Sequence, residues 1–290
     1  MTSVAEAANG IKRKRSKVQV MYVIHTALYA VALVLCMLNQ YSVGVVLGVA
    51  NMVGYFACLR GQLKHYSDMV AEADIQYGMC SNMQDVQYCG NNVFSSQEFS
   101  RLKILPLDES ENSFMGRYGV RASYKKMNVT ISEVTFHYRC MENGKSKTYK
   151  FLNGTLVKGE NISWENQEEW LILCKGMIDE TTKEAFCRSC GYHPADLEKS
   201  SLTERFEVYA MKPEMELPVL LEQRILKLTK KHMSVAAIRL QTNAVIIFLG
   251  NRFYTRRTKV RILPTERELQ TNPFIERDAV LNFMESWIVK

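Results

Sequence analysis

Residues 18–59 read VQVMYVIHTALYAVALVLCMLNQYSVGVVLGVANMVGYFACL and contain no Asp, Glu, Lys or Arg. A bilayer core of about 30 Å is crossed by about 20 helical residues. At about 1.5 Å per residue, this stretch in one helix would reach about 63 Å, twice that thickness. It therefore has to fold back, and its polar interruption is Asn39-Gln40-Tyr41-Ser42. We predict a transmembrane helical hairpin with spans at residues 18–38 and 43–59.

The basic residues around this hairpin predict its orientation. Five precede the first span, two follow the second, and the turn between the spans carries no charge. Positive residues next to spans stay on the cytoplasmic side. We therefore predict a two-span protein of the cell membrane with both termini in the cytoplasm. The residues are Lys12, Arg13, Lys14, Arg15 and Lys17 before the spans, and Arg60 and Lys64 after them.

A cleaved signal peptide is the alternative interpretation of residues 1–42. A cleavage site needs small residues after the apolar run. Here the run ends in Cys36-Met37-Leu38-Asn39-Gln40, and a second apolar run follows at once. The hairpin is therefore the better interpretation. Within its second span, Gly44-x-x-x-Gly48 and Ala50-x-x-x-Gly54 predict close packing against the first span, with a dimer contact as the alternative.

The remaining 231 residues are mixed in polarity and are enough for one large soluble domain or two small ones. Of the net charge of +7, residues 1–59 carry +4 and residues 60–290 carry +3. So small a surplus gives no reason to expect nucleic acid as a partner. We predict a basic cytoplasmic tail at 1–17, the transmembrane hairpin at 18–59, a membrane-proximal helical and linker region at 60–105, and a cytosolic domain at 106–290.

Strand patterns dominate the first half of this domain. After a predicted helix at residues 62–86 and a turn-rich stretch, residues 129–138 are rich in strand-forming types. The hairpin turn Glu142-Asn143-Gly144-Lys145 leads to a returning strand at 148–152. Asn153-Gly154 predicts a second turn, and Trp170–Cys174 a further strand. Together these segments predict an antiparallel sheet.

Strands and helices are mixed in the second half. Phe206–Ala210 is a predicted strand, and residues 235–240 and 244–249 form a predicted hairpin. Pro213 and Asn272 are predicted to begin the two helices of this half. Because regular βαβ alternation is missing, we predict an α+β fold: an N-terminal two-helix transmembrane hairpin, followed by a soluble domain with an antiparallel sheet and flanking helices.

The residues Cys187, Cys190 and His193 form the one cluster with metal-ligand types at short spacing. A structural zinc ion needs four ligands, so another, for instance Cys174, would have to come from elsewhere. A solvent-facing loop that holds two free thiols is the alternative. We expect no cofactor, with zinc as the one alternative for which the sequence offers candidate ligands.

Arg256, Arg257 and Lys259 belong to a second basic cluster, near Phe253 and Tyr254. Beside a membrane, each basic residue contributes about 1 kcal/mol of attraction to anionic headgroups. We predict that this cluster contacts the membrane surface, with a solvated loop as the alternative. The same role is predicted for the basic residues of the tail, which are Lys12, Arg13, Lys14, Arg15 and Lys17.

Catalytic signatures are missing from the sequence. It has no Gly-x-Ser-x-Gly elbow, no Gly-x4-Gly-Lys-Ser/Thr loop and no His-Glu-x-x-His. This favours a non-enzymatic scaffold or sensor that binds a protein or a lipid surface. The expected partners are the bilayer, its anionic headgroups and an unidentified protein, and no nucleic acid. An inner-leaflet enzyme acting on lipid or cell-wall precursors and a zinc-stabilised partner-binding module stay open as alternatives.

Several short motifs follow one another between residues 60 and 290. They are Phe94-Ser95-Ser96-x-x-Phe99, Gly116-Arg117-Tyr118, Ser132-Glu133, Phe151 with Gly154, Phe206–Ala210, and Gly250-Asn251-Arg252-Phe253-Tyr254. Their order resembles the bacterial membrane-protein family known as domain of unknown function 3137. The resemblance covers residues 60–290 and implies a bacterial, membrane-anchored protein with no assigned activity and no catalytic residues to carry over. The Cys-x-x-Cys pair departs from the family pattern.

Overall fold

The computed structural model describes residues 3–79, 83–91, 93–106, 114–142, 145–162, 168–195, 200–231, 234–251, 263–271, 274 and 276–287, with the backbone alone at 139–142, 145–150 and 231. The chain divides into two compact units. Unit 1 comprises Met1–Met79 and Arg256–Asn272, and unit 2 comprises Cys80–Thr255 and Pro273–Lys290. The boundary at Met79 falls inside the predicted membrane-proximal region of residues 60–105.

The predicted α+β class is confirmed, because two long apolar helices precede an antiparallel nine-stranded sheet with helices. The α-helices are α1 Val4–Met37, α2 Tyr41–Gly54, α3 Arg60–Gly78, α4 Ser96–Arg101, α5 Glu180–Cys190, α6 Val219–Lys231, α7 Glu266–Leu269 and α8 Arg277–Glu285. The strands are β1 Gln84–Gly90, β2 Phe114–Tyr124, β3 Met127–Glu142, β4 Lys145–Glu160, β5 Trp170–Cys174, β6 His193–Pro194, β7 Phe206–Ala210, β8 Val235–Gln241 and β9 Ala244–Leu249.

The turn between α1 and α2 lies where the sequence predicted it. Asn39 adopts a left-handed conformation with φ 60°, which Asn tolerates better than most residues. The amide of Gln40 donates to the carbonyl of Leu35 at 2.9 Å, and the amide of Asn39 donates to Cys36 at 3.2 Å. This pair of bonds is a Schellman motif, which satisfies carbonyls left open at the end of α1.

Unit 1 extends beyond the predicted spans as a two-helix stalk made of the first half of α1 and of α3. α2 continues through a π-helical turn at Tyr55–Leu59 into α3 without a break. Seven residues form the buried seam of the stalk, and α7 contributes one of them. They are Ile11, Val18, Leu59, Tyr66, Val70, Ala73 and Leu269. The predicted basic tail is therefore helical, since it is continuous with the first span.

Unit 2 is built on one antiparallel sheet with the strand order β1-β2-β3-β4-β9-β8-β5-β7-β6. Its longest pairing joins β3 to β4, from Asn128↔Glu160 to Glu142↔Lys145. One face carries Val134, Phe136 and Leu156 in a core shared with residues of α4 and α5. The opposite face meets α8, because a Cβ at Gly159 would lie 3.0 Å from the sulfur of Met284.

The predicted turn at Asn153-Gly154 is wrong, since both residues lie within β4. A Cβ at Gly154 would lie 2.1 Å from the carbonyl oxygen of Leu249 and 2.5 Å from the ring of Phe248. Glycine in a strand marks such close approach of a neighbouring backbone. Gly154 therefore permits the contact of β4 with β9 and does not reverse the chain.

Two predicted helices have different bounds in the structure. The helix predicted at 62–86 ends at Gly78, and Val86 belongs to β1, which pairs with β2. The helix predicted to start at Pro213 starts at Val219, immediately after Pro218. Proline favours extended backbone in the residue before it, so Pro218 fixes this helix start. The last helix is described over Arg277–Glu285, whereas its predicted cap at Asn272 lies outside the described residues.

Arg239 on β8 connects three parts of unit 2 in the interior, where it is 4% exposed. Its guanidinium donates to the carbonyl oxygen of Leu102, the cap residue after α4. The same group pairs with Glu169 at 2.7 Å, just before β5. A cation at the end of a helix is favourable, because the last carbonyls carry partial negative charge.

Replacing Arg239 by methionine is expected to lower the free energy of unfolding by about 3 kcal/mol, because a half-buried carboxylate then loses its partner. Urea unfolding of the full chain in detergent, followed by tryptophan fluorescence, measures this loss. Lys212→Met is the control, since it removes an exposed pair with Glu168 at 3.5 Å and should leave the curve unchanged. Equal curves for the two variants would contradict the role of Arg239.

Candidate functional site at a membrane interface

Both helical segments of the hairpin are long and apolar enough to cross a membrane. They are not core helices of a soluble protein, because only 6% and 17% of their most apolar windows are buried. We call the exposed apolar side chains between Val20 and Phe56 the apolar belt. Val23, Leu33 and Val46 are 65%, 66% and 68% exposed, respectively. So many adjacent apolar side chains without protein cover indicate a contact surface for lipid.

The interior of the hairpin is closely packed. A Cβ at Gly44 would lie 2.5 Å from the sulfur of Cys36 and 2.8 Å from the carbonyl oxygen of Ala32. The small residues predicted to pack the second span against the first therefore do so at Gly44. Close backbone approach is a main source of helix association in lipid.

His25 and Asn51 are hydrogen-bonded to each other inside the hairpin. A ring nitrogen of His25 meets the amide oxygen of Asn51, and the amide nitrogen of Asn51 donates to the backbone oxygen of His25 at 2.9 Å. Asn51 is 4% exposed, so the pair faces the partner helix. Polar side chains that bond across helices fix the register of an apolar hairpin.

A group of basic side chains surrounds the stalk end of the apolar belt. We call the exposed residues Lys12, Arg13, Lys17, Arg60 and Lys64 the basic collar. Lys12 and Lys17 are about 7.5 Å apart along the axis of α1, and Arg60 and Lys64 are about 6 Å apart along α3. The opposite end of the belt is the uncharged turn at Asn39 and Gln40.

The other predicted basic residues differ in their surroundings. Lys14 donates to the amide oxygen of Gln62 across the stalk, and Arg15 is half-buried beside Tyr66. Burial raises the pKa of Tyr66, and the charge of Arg15 opposes that rise. Lys14 and Arg15 therefore stabilise the packing of the stalk in addition to adding positive charge. Arg256, Arg257 and Lys259 lie outside the described residues, and their contact with the membrane stays a prediction.

The candidate zinc ligands lie on two elements. Cys187 and Cys190 are on α5, not in the solvent-facing loop of the alternative interpretation, and both are buried. His193 is exposed on β6. Within the part of the chain that the structure describes, no three His, Cys, Asp or Glu residues are grouped to hold a metal ion. Zinc at these residues stays a prediction.

Burial raises the pKa of the Cys187 thiol to about 12, with smaller contributions from neighbouring charged groups. The metal ligand and the nucleophile are both the thiolate, so this environment opposes both roles. Lys183, one helical turn before Cys187, is also buried and forms ion pairs with Glu180 at 2.6 Å and with Glu207. This cluster was not predicted, although the spacing of Lys183, Cys187 and Cys190 places them on one helix face.

Comparisons with known proteins give one structural match. The chain aligns with the crystal structure of the mycobacterial trehalose monomycolate transport factor A, TtfA, with a TM-score of 0.35 and 8% identity. The alignment covers 74% of this chain and 96% of TtfA. A likeness this distant carries no argument about function. No family model and no curated protein matches the sequence, so the resemblance to domain of unknown function 3137 stays a prediction.

Cys187 is expected to resist iodoacetamide at pH 8 in the folded chain, because a thiol with a pKa of about 12 has about one thiolate in ten thousand at that pH. Mass spectrometry of the alkylated full chain measures modification at each cysteine. The half-buried Cys89 and Cys174 serve as internal controls and should react. Burial alone predicts no effect of a zinc chelator, whereas faster alkylation of Cys187 after chelation would indicate a bound metal.

Proposed function

We propose that this protein is a non-enzymatic binding protein, anchored in the cell membrane by the α1–α2 hairpin and attached to anionic headgroups through the basic collar. One observation carries the proposal: the apolar belt has a charged end and an uncharged end. Lys17 and Arg60 mark the charged end, and Asn39 marks the other. A hairpin inserted in a bilayer needs this asymmetry to adopt a single orientation.

The height of the basic collar supports contact with headgroups. A bilayer of about 40–45 Å with a hydrocarbon core of about 30 Å leaves about 5–7.5 Å of headgroup region on each side. The basic collar extends about 6–7.5 Å along its two helices, which matches that layer. At the edge of the basic collar nearest the apolar belt, the guanidinium carbon of Arg60 lies 5.9 Å from the ring centre of Phe56. From this position the charge can reach the interface.

The proposed orientation places both termini in the cytoplasm, where anionic lipids attract basic segments. α3 runs from Arg60 to Gly78, about 27 Å along its axis, so the chain leaves the bilayer on the collar side. Unit 2 follows α3 along the chain and supplies the scaffold or sensor part of the proposed function. An inner-leaflet enzyme stays the alternative, and a zinc-stabilised module is less well supported because the described residues contain no group of three His, Cys, Asp or Glu that could hold a metal ion.

The combined variant Lys12→Gln, Arg13→Gln and Lys17→Gln is expected to lower the preference for phosphatidylglycerol over phosphatidylcholine at least about tenfold. Each cation near the surface contributes about 1 kcal/mol, reduced by salt screening. Native mass spectrometry of the full chain, released from nanodiscs of mixed lipid, counts the retained phosphatidylglycerol.

The matched control changes three exposed cations of unit 2 by the same charge: Lys175→Gln, Arg188→Gln and Lys230→Gln. This control should retain phosphatidylglycerol as the wild type does. Equal loss in the two triple variants would mean that net charge, and not the basic collar, determines the lipid preference, and the proposal would be wrong.

The proposed orientation predicts that a reporter fused after Lys290 is active in the cytoplasm. In cells, a green fluorescent protein at this position should fluoresce, and an alkaline phosphatase should be inactive. A second fusion after Gln40, between the spans, should give the opposite result, which shows that both reporters work. Phosphatase activity after Lys290 would place the terminus outside and refute the orientation.

A further inference from the structure

An open cleft of about 560 Å³ lies within unit 2, between α4 and the ends of β2, β3 and β4. Its apolar wall includes Val93, Leu102 and Val129, and Ser123 and Thr130 add hydroxyl groups. Ionisable side chains of both signs line it as well. They are Arg101, Arg121, Lys158, Asp85, Glu98 and Glu160.

Two of the carboxylates already have partners within the protein. Glu98 accepts a hydrogen bond from the backbone amide of Ser95 at 2.7 Å in the capping box of α4. That bond, and less strongly the nearby charges of Arg121 and Lys158, hold the pKa of Glu98 below its ordinary value. Glu160 pairs with Lys158 at 2.6 Å. Glu160 is therefore balanced by a cation, whereas Glu98 is fixed in position by a neutral amide and keeps its negative charge.

The two arginines of the cleft differ in this respect. Arg101 ends α4, and Arg121 lies within β2. Over the described residues, neither guanidinium has a hydrogen bond or an ion pair, and the same holds for the carboxylate of Asp85. Because Lys158 and Glu160 balance each other, the remaining charges of the cleft are two guanidinium groups, whose hydrogen-bond donors are unused over the described residues, and the carboxylates of Asp85 and Glu98. Guanidinium groups bind phosphate and carboxylate with two parallel hydrogen bonds.

We propose that this cleft binds a small anionic ligand, with its phosphate or carboxylate group held by Arg101 and Arg121. The apolar wall of Val93, Leu102 and Val129 then covers the carbon skeleton of the ligand, and Ser123 and Thr130 bond to its polar substituents. This is the composition of small-molecule sites, which combine apolar walls with a few placed polar groups.

The elements that carry the two arginines are held in position by the fold. The capping box between Ser95 and Glu98 fixes the start of α4. Arg239 bonds to the carbonyl of Leu102 and fixes its end. Because β2 is paired on both sides, Arg121 has a fixed backbone as well. Pre-positioned charges lose less entropy when a ligand binds.

Calorimetric titration of the full chain with glycerol 3-phosphate, in phosphatidylcholine nanodiscs at low salt, tests the proposal. We expect saturable binding that weakens about tenfold in Arg101→Gln and in Arg121→Gln, since each variant loses a charge-assisted hydrogen bond. The pair Lys175→Gln and Arg188→Gln is the control and should bind as the wild type does. Equal weakening in the control would overturn the proposal.

Asp85→Asn gives a test that misfolding cannot imitate, because it should increase affinity. Asp85 has a left-handed backbone with φ 52°, which asparagine adopts equally well. The substitution removes one of the two remaining carboxylates, so anion binding should become about threefold tighter. Weaker binding in this variant would contradict a site that selects anions.

A second arm distinguishes a soluble ligand from a lipid headgroup. The variant Lys12→Gln, Arg13→Gln and Lys17→Gln removes lipid contacts of the basic collar, so this test is independent of the proposed function. In that background, retained phosphatidylglycerol that falls with Arg121→Gln would support a headgroup as the ligand, and binding of glycerol 3-phosphate alone would support a soluble one. If neither compound binds in a way that depends on the arginines, the proposal is wrong.

Discussion

The hairpin of α1 and α2 exposes most of its apolar side chains without protein cover. This exposure constrains the polar groups inside the hairpin. Its polar groups have to be satisfied by the hairpin itself, as they would be in hydrocarbon. The structure meets this demand at the turn by the bonds of Asn39 and Gln40 to α1, and between the helices by the pair of His25 with Asn51. Beyond Lys17 and Arg60 the same helices become amphipathic and bury a seam around Tyr66 and Val70. One continuous helix pair thus provides first a lipid-compatible surface and then a stalk.

Unit 2 meets a different constraint, because its one sheet has helices on both faces and interior polar groups need partners. Arg239 on β8 bonds to the end of α4 and to Glu169, so a single buried cation satisfies groups from two other segments. On the other face, Gly159 lacks a side chain where Met284 packs. The bond from Arg239 holds the end of α4 against the sheet, and the cleft proposed to bind an anion lies between α4 and the ends of β2, β3 and β4.

The sequence predicts the hairpin well, because the absence of charge over residues 18–59 is a strong signal that needs no tertiary information. It also predicts β5 and β7 to the residue, where apolar runs are bounded by turns. The turn predicted at Gly154 is wrong because, in a sequence, a glycine that permits a close backbone contact looks the same as a glycine in a turn. The helix predicted to reach Val86 is too long because this apolar residue of an edge strand happens to continue the helical spacing. The cleft could not be predicted, because Arg101 and Arg121 are far apart in sequence and meet only through the fold.

Charge counting could not have found the cations of the candidate binding surfaces, because it treats paired and unpaired groups alike. Residues 60–290 carry only +3, yet this sum combines two kinds of basic residue. Lys183 and Arg239 are buried against carboxylates and serve the fold. Arg101 and Arg121 are exposed and uncommitted among the described residues, as are Lys12 and Lys17 in the collar. A buried ion pair has little electrostatic attraction left for a ligand. A solvated, unpaired cation on a rigid element keeps that attraction. The pairing of each cation, and not the net charge, therefore separates the candidate binding surfaces from the structural ones.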